Sequence, residues 1–89
     1  MNDEPTGTIK AYKVSNNGDK VAGAVIEIVA NEKITNKAGT RTYYNKNDIV
    51  ATLTTDVTGK IEKTDLPLGK YLVYEKSAPN RLFIEYNKI

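Results

Sequence analysis

One short stretch near the carboxyl end decides how the rest of the chain is interpreted, and it reads Lys70-Tyr71-Leu72-Val73-Tyr74-Glu75-Lys76. Side chains alternate between the two faces of a β-strand, so Tyr71, Val73 and Glu75 share one face. A tyrosine and a valine on the same side indicate a face that packs into a core. The sequence therefore predicts a carboxylate inside an otherwise apolar layer.

A second stretch, near the amino end, shows the same pattern with the opposite charge. In Thr8-Ile9-Lys10-Ala11-Tyr12-Lys13-Val14, alternation places Ile9, Ala11 and Lys13 on one face. Burying a lone lysine or a lone glutamate is unfavourable unless the two charges meet. We therefore expect Lys13 and Glu75 to be neighbours, and the functional interpretation depends on this pair.

Simpler interpretations of both residues compete with this one. Lys13 could lie on an edge strand with its stem packed and its ammonium in water. The apolar residues Tyr12 and Val14 on the opposite face leave that alternative open, and Glu75 could equally be a solvated strand residue. Lys10 is the rival candidate for a reactive lysine.

Composition excludes several classes of function. The chain has 89 residues, no cysteine and no histidine, so it offers one modest core, no disulfide framework and neither of the commonest metal ligands. We expect no metal and no cofactor. The net charge of +2 comes without a basic run or a phosphate-binding glycine loop, which argues against nucleic acid. No apolar stretch reaches the length of a membrane span, so no membrane contact by this chain is expected.

Almost every segment has the pattern of a strand or a turn. Turn-forming residues occupy 15–19 and 56–59, and β-branched or alternating runs lie between the turns. This pattern predicts an all-β, immunoglobulin-like sandwich of six to seven short strands. The domain would span residues 7–89 after a flexible lead-in at 1–6. The predicted strands cover residues 7–14, 24–30, 49–55, 60–64, 70–77 and 82–86.

Residues 31–48 form the least regular segment and are expected to be a long insertion loop, with one helical turn near 31–34. Long loops in compact domains are often functional, and Tyr43 and Tyr44 could contact a host protein or glycan. Adjacent tyrosines on a strand point to opposite faces, so at least one is expected to lie in the core. A solvated surface insertion is the alternative interpretation.

Three segments occur in the order and spacing of a known family. They read Lys13-Val14-x-x-x-Gly18-x-x-Val21-Ala22-Gly23-Ala24-x-Ile26, then Ala51-Thr52-Leu53-Thr54-Thr55-Asp56-x-x-Gly59, then Leu66-Pro67-Leu68-Gly69-Lys70-Tyr71-x-Val73-x-Glu75-x-x-Ala78-Pro79. With these segments, from about Gly7 to Pro79, the chain resembles the Cna protein B-type domain, also described as SpaA-like or prealbumin-like.

The resemblance implies a prealbumin-like sandwich from the surface adhesins and pilins of Gram-positive bacteria. The expected role is a stalk module at the cell wall, extracellular, with neighbouring domains as partners and a monomeric state. Many members form a spontaneous isopeptide bond between a lysine near the first strand and an asparagine on the last strand. Carried over by position, Lys13 is the nucleophile and Glu75 the assisting acid.

The chemistry implied for that pair is a single-turnover reaction. Desolvation favours the neutral forms of an amine and of a carboxylic acid. A protonated Glu75 would polarise the asparagine carbonyl, stabilise the oxyanion and pass a proton to the departing ammonia. A turnover enzyme is not expected, because the sequence contains no nucleophile elbow, metal cluster or paired catalytic carboxylates.

The asparagine partner is where the chain departs from the family pattern. Asn80-Arg81-Leu82 stands where the family has glycine followed by an aromatic residue. Asn87 is the late asparagine that could lie on a strand, and it is the tentative partner. Two alternatives remain. The fold could be retained with a plain Lys13–Glu75 ion pair, or the chain could lack its last strand and capture a complementing peptide strand by β-augmentation.

Overall fold

The computed structural model describes residues 4–76 and the backbone of residues 78–83. This part of the chain is all-β, as predicted, with eight strands and no helix. The strands are β1 (Thr6–Tyr12), β2 (Val25–Ala30), β3 (Ile34–Thr35), β4 (Thr42–Tyr44), β5 (Ile49–Thr54), β6 (Lys60–Pro67), β7 (Tyr71–Glu75) and β8 (Ala78–Phe83).

The strands form two main sheets and one small hairpin. β1 pairs with β6, a second sheet has the order β5-β2-β7-β8, and β3 pairs with β4. Every pairing is antiparallel. Buried side chains from both main sheets form a single core cluster. The predicted prealbumin-like β-sandwich is therefore confirmed.

The strand β2 lies at the centre of the larger sheet because its sequence suits burial on both sides. It pairs with β5 on one edge and with β7 on the other. Its predicted inner face, Ala24, Ile26, Ile28 and Ala30, is entirely buried. The alternation of β-branched residues in this run therefore fixed both its conformation and its register.

The prediction of a helical turn near residues 31–34 is wrong. Ile34 is buried in the core and begins the β3–β4 hairpin instead. The side chain of Asn36 accepts hydrogen bonds from the N–H groups of Thr40 (2.8 Å) and Arg41 (3.1 Å), which closes the turn. An asparagine side chain that binds nearby backbone favours such a turn over a helix.

Several strand ends also differ from the sequence-based prediction. β6 continues to Pro67 because a bulge shifts its register with β1 between Gly7 and Ile9. Asp65, with φ of 60°, lies in this irregular part, and Leu66 beyond it is buried. β8 begins at Ala78, earlier than the predicted start at 82, and positions 84–86 of that prediction lie outside the described residues.

The segment before β1 makes one specific contact. The carboxylate of Glu4 accepts a hydrogen bond from the N–H of Lys37, with both oxygens 3.0 Å from the nitrogen. β1 itself starts at Thr6, one residue earlier than predicted. The contact joins the amino-terminal segment to the turn of the β3–β4 hairpin.

Candidate functional site

Lys13 directly follows β1 and is held there by its backbone. Its N–H donates to the carbonyl of Gly59 (2.8 Å), and its carbonyl accepts from the N–H of Val21 (3.1 Å). Ile9 and Ala11, which precede it on the same face, are both buried. The alternation predicted from the sequence therefore continues through Lys13 and aims its side chain toward the core.

Glu75 reaches the same place from the other sheet. It is the last residue of β7, and its register partner on β2 is Ile26. Tyr71 and Val73, which share its face, are buried. The N–H of Lys76 donates to the carbonyl of Val25 (2.8 Å), which continues the β2–β7 association past the end of the strand.

The two charged groups meet between the sheets. The Nζ of Lys13 lies 3.1 Å from Oε1 of Glu75, and the side chains are only 13% and 16% exposed. At this separation the ammonium and the carboxylate form an ion pair that is largely shielded from water. The Lys60–Glu62 pair differs, because its contact is 3.4 Å and its side chains are 32% and 36% exposed.

An open pocket of about 480 Å³ adjoins the pair. Glu75 forms part of its wall, together with Lys76 and the residues that lead into β2, which are Gly23, Ala24 and Val25. The Glu75 side chain is thus partly shielded from water yet borders a space large enough for a further side chain. No group of three or more acidic side chains within the described residues could hold a metal ion.

Most of the chain matches one known protein family. A family model described as SpaA, prealbumin-like fold domain, matches residues 7–88. The chain belongs to this family. Domains of this type are modules of Gram-positive surface proteins. Neither the curated proteins nor the solved structures include a significant match to this chain.

The other predicted residues of this SpaA-type domain fall in different places. Lys10, the rival lysine, is exposed and pairs in register with Glu62 on β6, so it lies on the face away from Glu75. Asn87, the tentative bond partner, lies outside the described residues. The structure therefore brings together two of the three predicted site residues.

Tyr43 and Tyr44, the candidate ligand-binding residues, both pack against the core and are half-buried. The guanidinium of Arg41 lies 5.4 Å from the ring centre of Tyr43, a cation–π contact. Tyr43 also lines a second pocket, of about 450 Å³, with Glu4 and Asp65. The expectation is that at least one tyrosine lies in the core; both rings instead pack against the core cluster and stay half-buried.

Sequence reasoning missed the burial of Glu27 on the outer face of β2. This glutamate is 8% exposed and pairs in register with Tyr74 on β7. Partial burial raises the pKa of Tyr74, and hydrogen bonding to Glu27 and its negative charge raise it further. The position of Glu27 between Val25 and Val29 was the available signal, because valines on both sides indicate a covered outer face.

Sequence reasoning also missed Thr55, a buried residue (5% exposed) just beyond β5. Its hydroxyl donates to the carbonyl of Val21 (2.7 Å) and accepts from the N–H of Ala24 (2.9 Å). Both partners are more than 30 positions away, so no local pattern in the sequence could have paired them.

Proposed function

We propose that this domain is a stalk module of a Gram-positive cell-surface adhesin or pilin, and that a spontaneous Lys–Asn isopeptide bond stabilises it. Membership of the SpaA-type family supports the surface role and an extracellular, cell-wall location. The observation that carries the covalent part is the 3.1 Å contact between Lys13 and Glu75 inside a largely desolvated site. Neighbouring domains of the parent protein are the expected partners.

The proposed reaction begins with a proton transfer inside the Lys13–Glu75 pair. Transfer of one proton from the Lys13 ammonium to Glu75 leaves a neutral amine and a neutral acid, and no outside base is needed. The amine is then a competent nucleophile, and the acid can donate a hydrogen bond.

The bond itself forms by attack of the Lys13 nitrogen on the side-chain carbonyl carbon of an asparagine, for which we propose Asn87. The new C–N bond creates a tetrahedral oxyanion, which the Glu75 acid stabilises. Collapse breaks the original C–N bond, and Glu75 relays the proton that lets the nitrogen depart as ammonia. The products are one amide and one ammonia, so the chain loses the mass of ammonia once.

The cross-link would act as the staple that this cysteine-free domain lacks. A bond between Lys13 and Asn87 closes a loop over most of the chain, and a disulfide closing a comparable loop contributes about 4 kcal/mol. Rigid packing between the sheets supplies the proximity that an amine–amide reaction requires. The domain is therefore a single-turnover system rather than a turnover enzyme.

Intact-mass spectrometry tests the proposal. The full chain is expected to be lighter than its sequence by one ammonia, and Lys13→Ala and Glu75→Gln are expected to restore the full sequence mass. Lys10→Ala is the matched control, because that lysine is exposed on the opposite face, and it should still lose ammonia. Peptide mapping of the cross-link identifies the partner asparagine. A wild-type chain with its full sequence mass contradicts the covalent proposal.

A second candidate function is capture of a complementing strand. β1 pairs with β6 on one side, and no other strand in the described part of the chain pairs with it. A strand that pairs on one side only can accept an added strand on the other. The test adds synthetic peptides of alternating apolar pattern that contain one asparagine. Retention of such a peptide on Lys13 in denaturing conditions supports capture, and its absence contradicts it.

A further inference from the structure

We propose that Thr55 is a positioning residue for the Lys13–Glu75 pair, an inference that rests on the proposed isopeptide function. The hydroxyl of Thr55 is buried, and both of its hydrogen bonds go to the segment that joins Lys13 to β2. The family resemblance assigns Thr55 no role. Its contacts lead to both members of the pair.

The first path runs from Thr55 to Lys13. The Thr55 hydroxyl donates to the carbonyl of Val21 (2.7 Å). The N–H of the same residue, Val21, donates to the carbonyl of Lys13 (3.1 Å). The carbonyl and the N–H of Val21 lie on either side of one Cα, so fixing the carbonyl limits the movement of the N–H that bonds Lys13. The backbone from which the Lys13 side chain extends is held at this point.

The second path runs from Thr55 to the pocket beside Glu75. The N–H of Ala24 donates to the Thr55 hydroxyl (2.9 Å), and the N–H of Thr55 donates back to the Ala24 carbonyl (2.9 Å). Ala24 and Val25 line the same pocket as Glu75. Val25 in turn accepts the hydrogen bond from Lys76, the residue after Glu75.

A valine at this position would fill the same volume without either side-chain hydrogen bond. The Val21 carbonyl and the Ala24 N–H would then lose their buried partner, and the segment would shift to recover one. A displacement of about 1 Å at a reacting group can slow a proximity-driven reaction by roughly a hundredfold. Loss of the hydroxyl should therefore affect the reaction more than it affects the core.

The first experiment follows cross-linking over time by intact mass during cell-free synthesis of the full chain. We expect Thr55→Val to form the bond at least roughly tenfold more slowly than wild type. Thr55→Ser, which keeps the hydroxyl, should stay within about threefold of wild type. Ile28→Val is the control, because it loosens the buried core at a site outside both paths. Its rate should match wild type even where its melting temperature falls.

A second experiment separates this inference from the proposed bond. In Glu75→Gln the amine of Lys13 is free, and its acylation rate is compared with that of exposed Lys10 by peptide mapping. Adding Thr55→Val should raise the Lys13-to-Lys10 ratio about fivefold, whereas adding Thr55→Ser or Ile28→Val should leave it unchanged. A wild-type chain that never loses ammonia contradicts the isopeptide proposal, but the labelling test remains valid because it does not require the bond. Equal labelling in the Thr55→Val and Ile28→Val chains overturns the positioning role.

Discussion

A side chain on Gly59 would begin 2.6 Å from the carbonyl oxygen of Lys13, closer than any real Cβ contact. Gly59 also has φ of 76°, in the region that glycine adopts without strain. Its own carbonyl accepts the hydrogen bond from the Lys13 N–H. The Asp56–Gly59 turn and Lys13 are therefore in direct backbone contact, and the turn admits no other residue at position 59 without movement.

Gly59→Ala is expected to reduce the free energy of unfolding by about 3 kcal/mol, from positive φ and the clash together. Gly18→Ala is the matched control. Gly18 also has a positive φ, 85°, but a Cβ added there would have no atom within 4 Å. That variant should lose only about 1 kcal/mol. Urea titration of both variants measures the difference, and equal losses would show that the close approach to Lys13 is relaxed without penalty.

The Lys13–Glu75 contact predicts strong coupling between the two residues. In a double-mutant cycle with Lys13→Met and Glu75→Gln, we expect the single changes to be non-additive by at least about 1 kcal/mol. Lys60 and Glu62 supply the exposed comparison, for which the coupling should stay below about 0.5 kcal/mol. Chemical denaturation of the two sets of variants gives both values. Additive changes at positions 13 and 75 would contradict the coupling.

Asp56 predicts how the domain responds to acid. Hydrogen bonds from the Thr58 hydroxyl and from the N–H groups of Lys60 and Thr58 hold the pKa of Asp56 below 3.8, its ordinary value. A lowered carboxyl pKa stabilises the folded state above the ordinary value, and the contribution is lost as pH falls through the folded-state pKa. The melting temperature of the wild type should therefore fall as the pH is lowered below about 4. In Asp56→Asn the melting temperature should depend less on pH over this range.

The control for the acid response is Asp65→Asn, because Asp65 is exposed and no described residue hydrogen-bonds to its carboxylate. Its melting profile between about pH 4 and pH 2 should follow wild type. Asp56→Asn should also melt at a lower temperature than wild type near neutral pH, where the hydrogen-bonded carboxylate contributes fully. If the melting temperature of Asp56→Asn varies with pH in the same way as in the wild type, the Asp56 carboxylate does not contribute to acid destabilisation.

Tyr74 and Glu27 predict a response at the other end of the pH scale. The raised pKa of Tyr74 means that its stabilising contribution is present below about pH 10, the ordinary range, and disappears as the folded hydroxyl ionises at higher pH. Tyr74→Phe should lower the free energy of unfolding at neutral pH by about 1 kcal/mol, because the buried Glu27 loses a hydrogen-bond donor. Leu72→Ala, on the same face, is the control for lost packing. Its free energy of unfolding, measured by urea titration, should still fall above about pH 10 as in the wild type.

The half-buried tyrosines of the β4 strand predict a packing role. Tyr43→Ala and Tyr44→Ala should each reduce the free energy of unfolding by about 2 kcal/mol, because both rings pack against the core cluster. Arg41→Ala should cost less than about 1 kcal/mol, since only the cation–π contact to Tyr43 is lost. Thermal or urea unfolding checks all three. Unchanged stability in the tyrosine variants would instead favour a contact with a host protein or glycan.

The parts of the site that follow strand alternation could be predicted from the sequence. Period-two spacing placed Lys13 with Ile9 and Ala11, and Glu75 with Tyr71 and Val73, and both faces point to the core. Alternation suffices there because a strand has only two faces.

The remaining features depend on contacts that sequence spacing does not record. The burial of Glu27 depends on its register with Tyr74 on another strand. The role of Thr55 depends on backbone groups more than 30 positions away. The β3–β4 hairpin depends on which backbone groups the Asn36 side chain binds, and in the structure these are the N–H groups of Thr40 and Arg41. Glu27 and Thr55 are decided by tertiary placement, whereas the turn at Asn36 follows a local preference that competes with the expected helical turn.

The position of Lys13 immediately after β1 has a mechanical consequence. β1 is joined to β6 by an antiparallel ladder that runs from Thr6 to Tyr12. Tension applied to the chain ahead of Thr6 must strain the rungs of that ladder before it reaches the lysine. A covalent bond at Lys13 would then stop β1 from separating further. Unfolding under tension would therefore end after β1 and would not extend to the other strands of the sandwich.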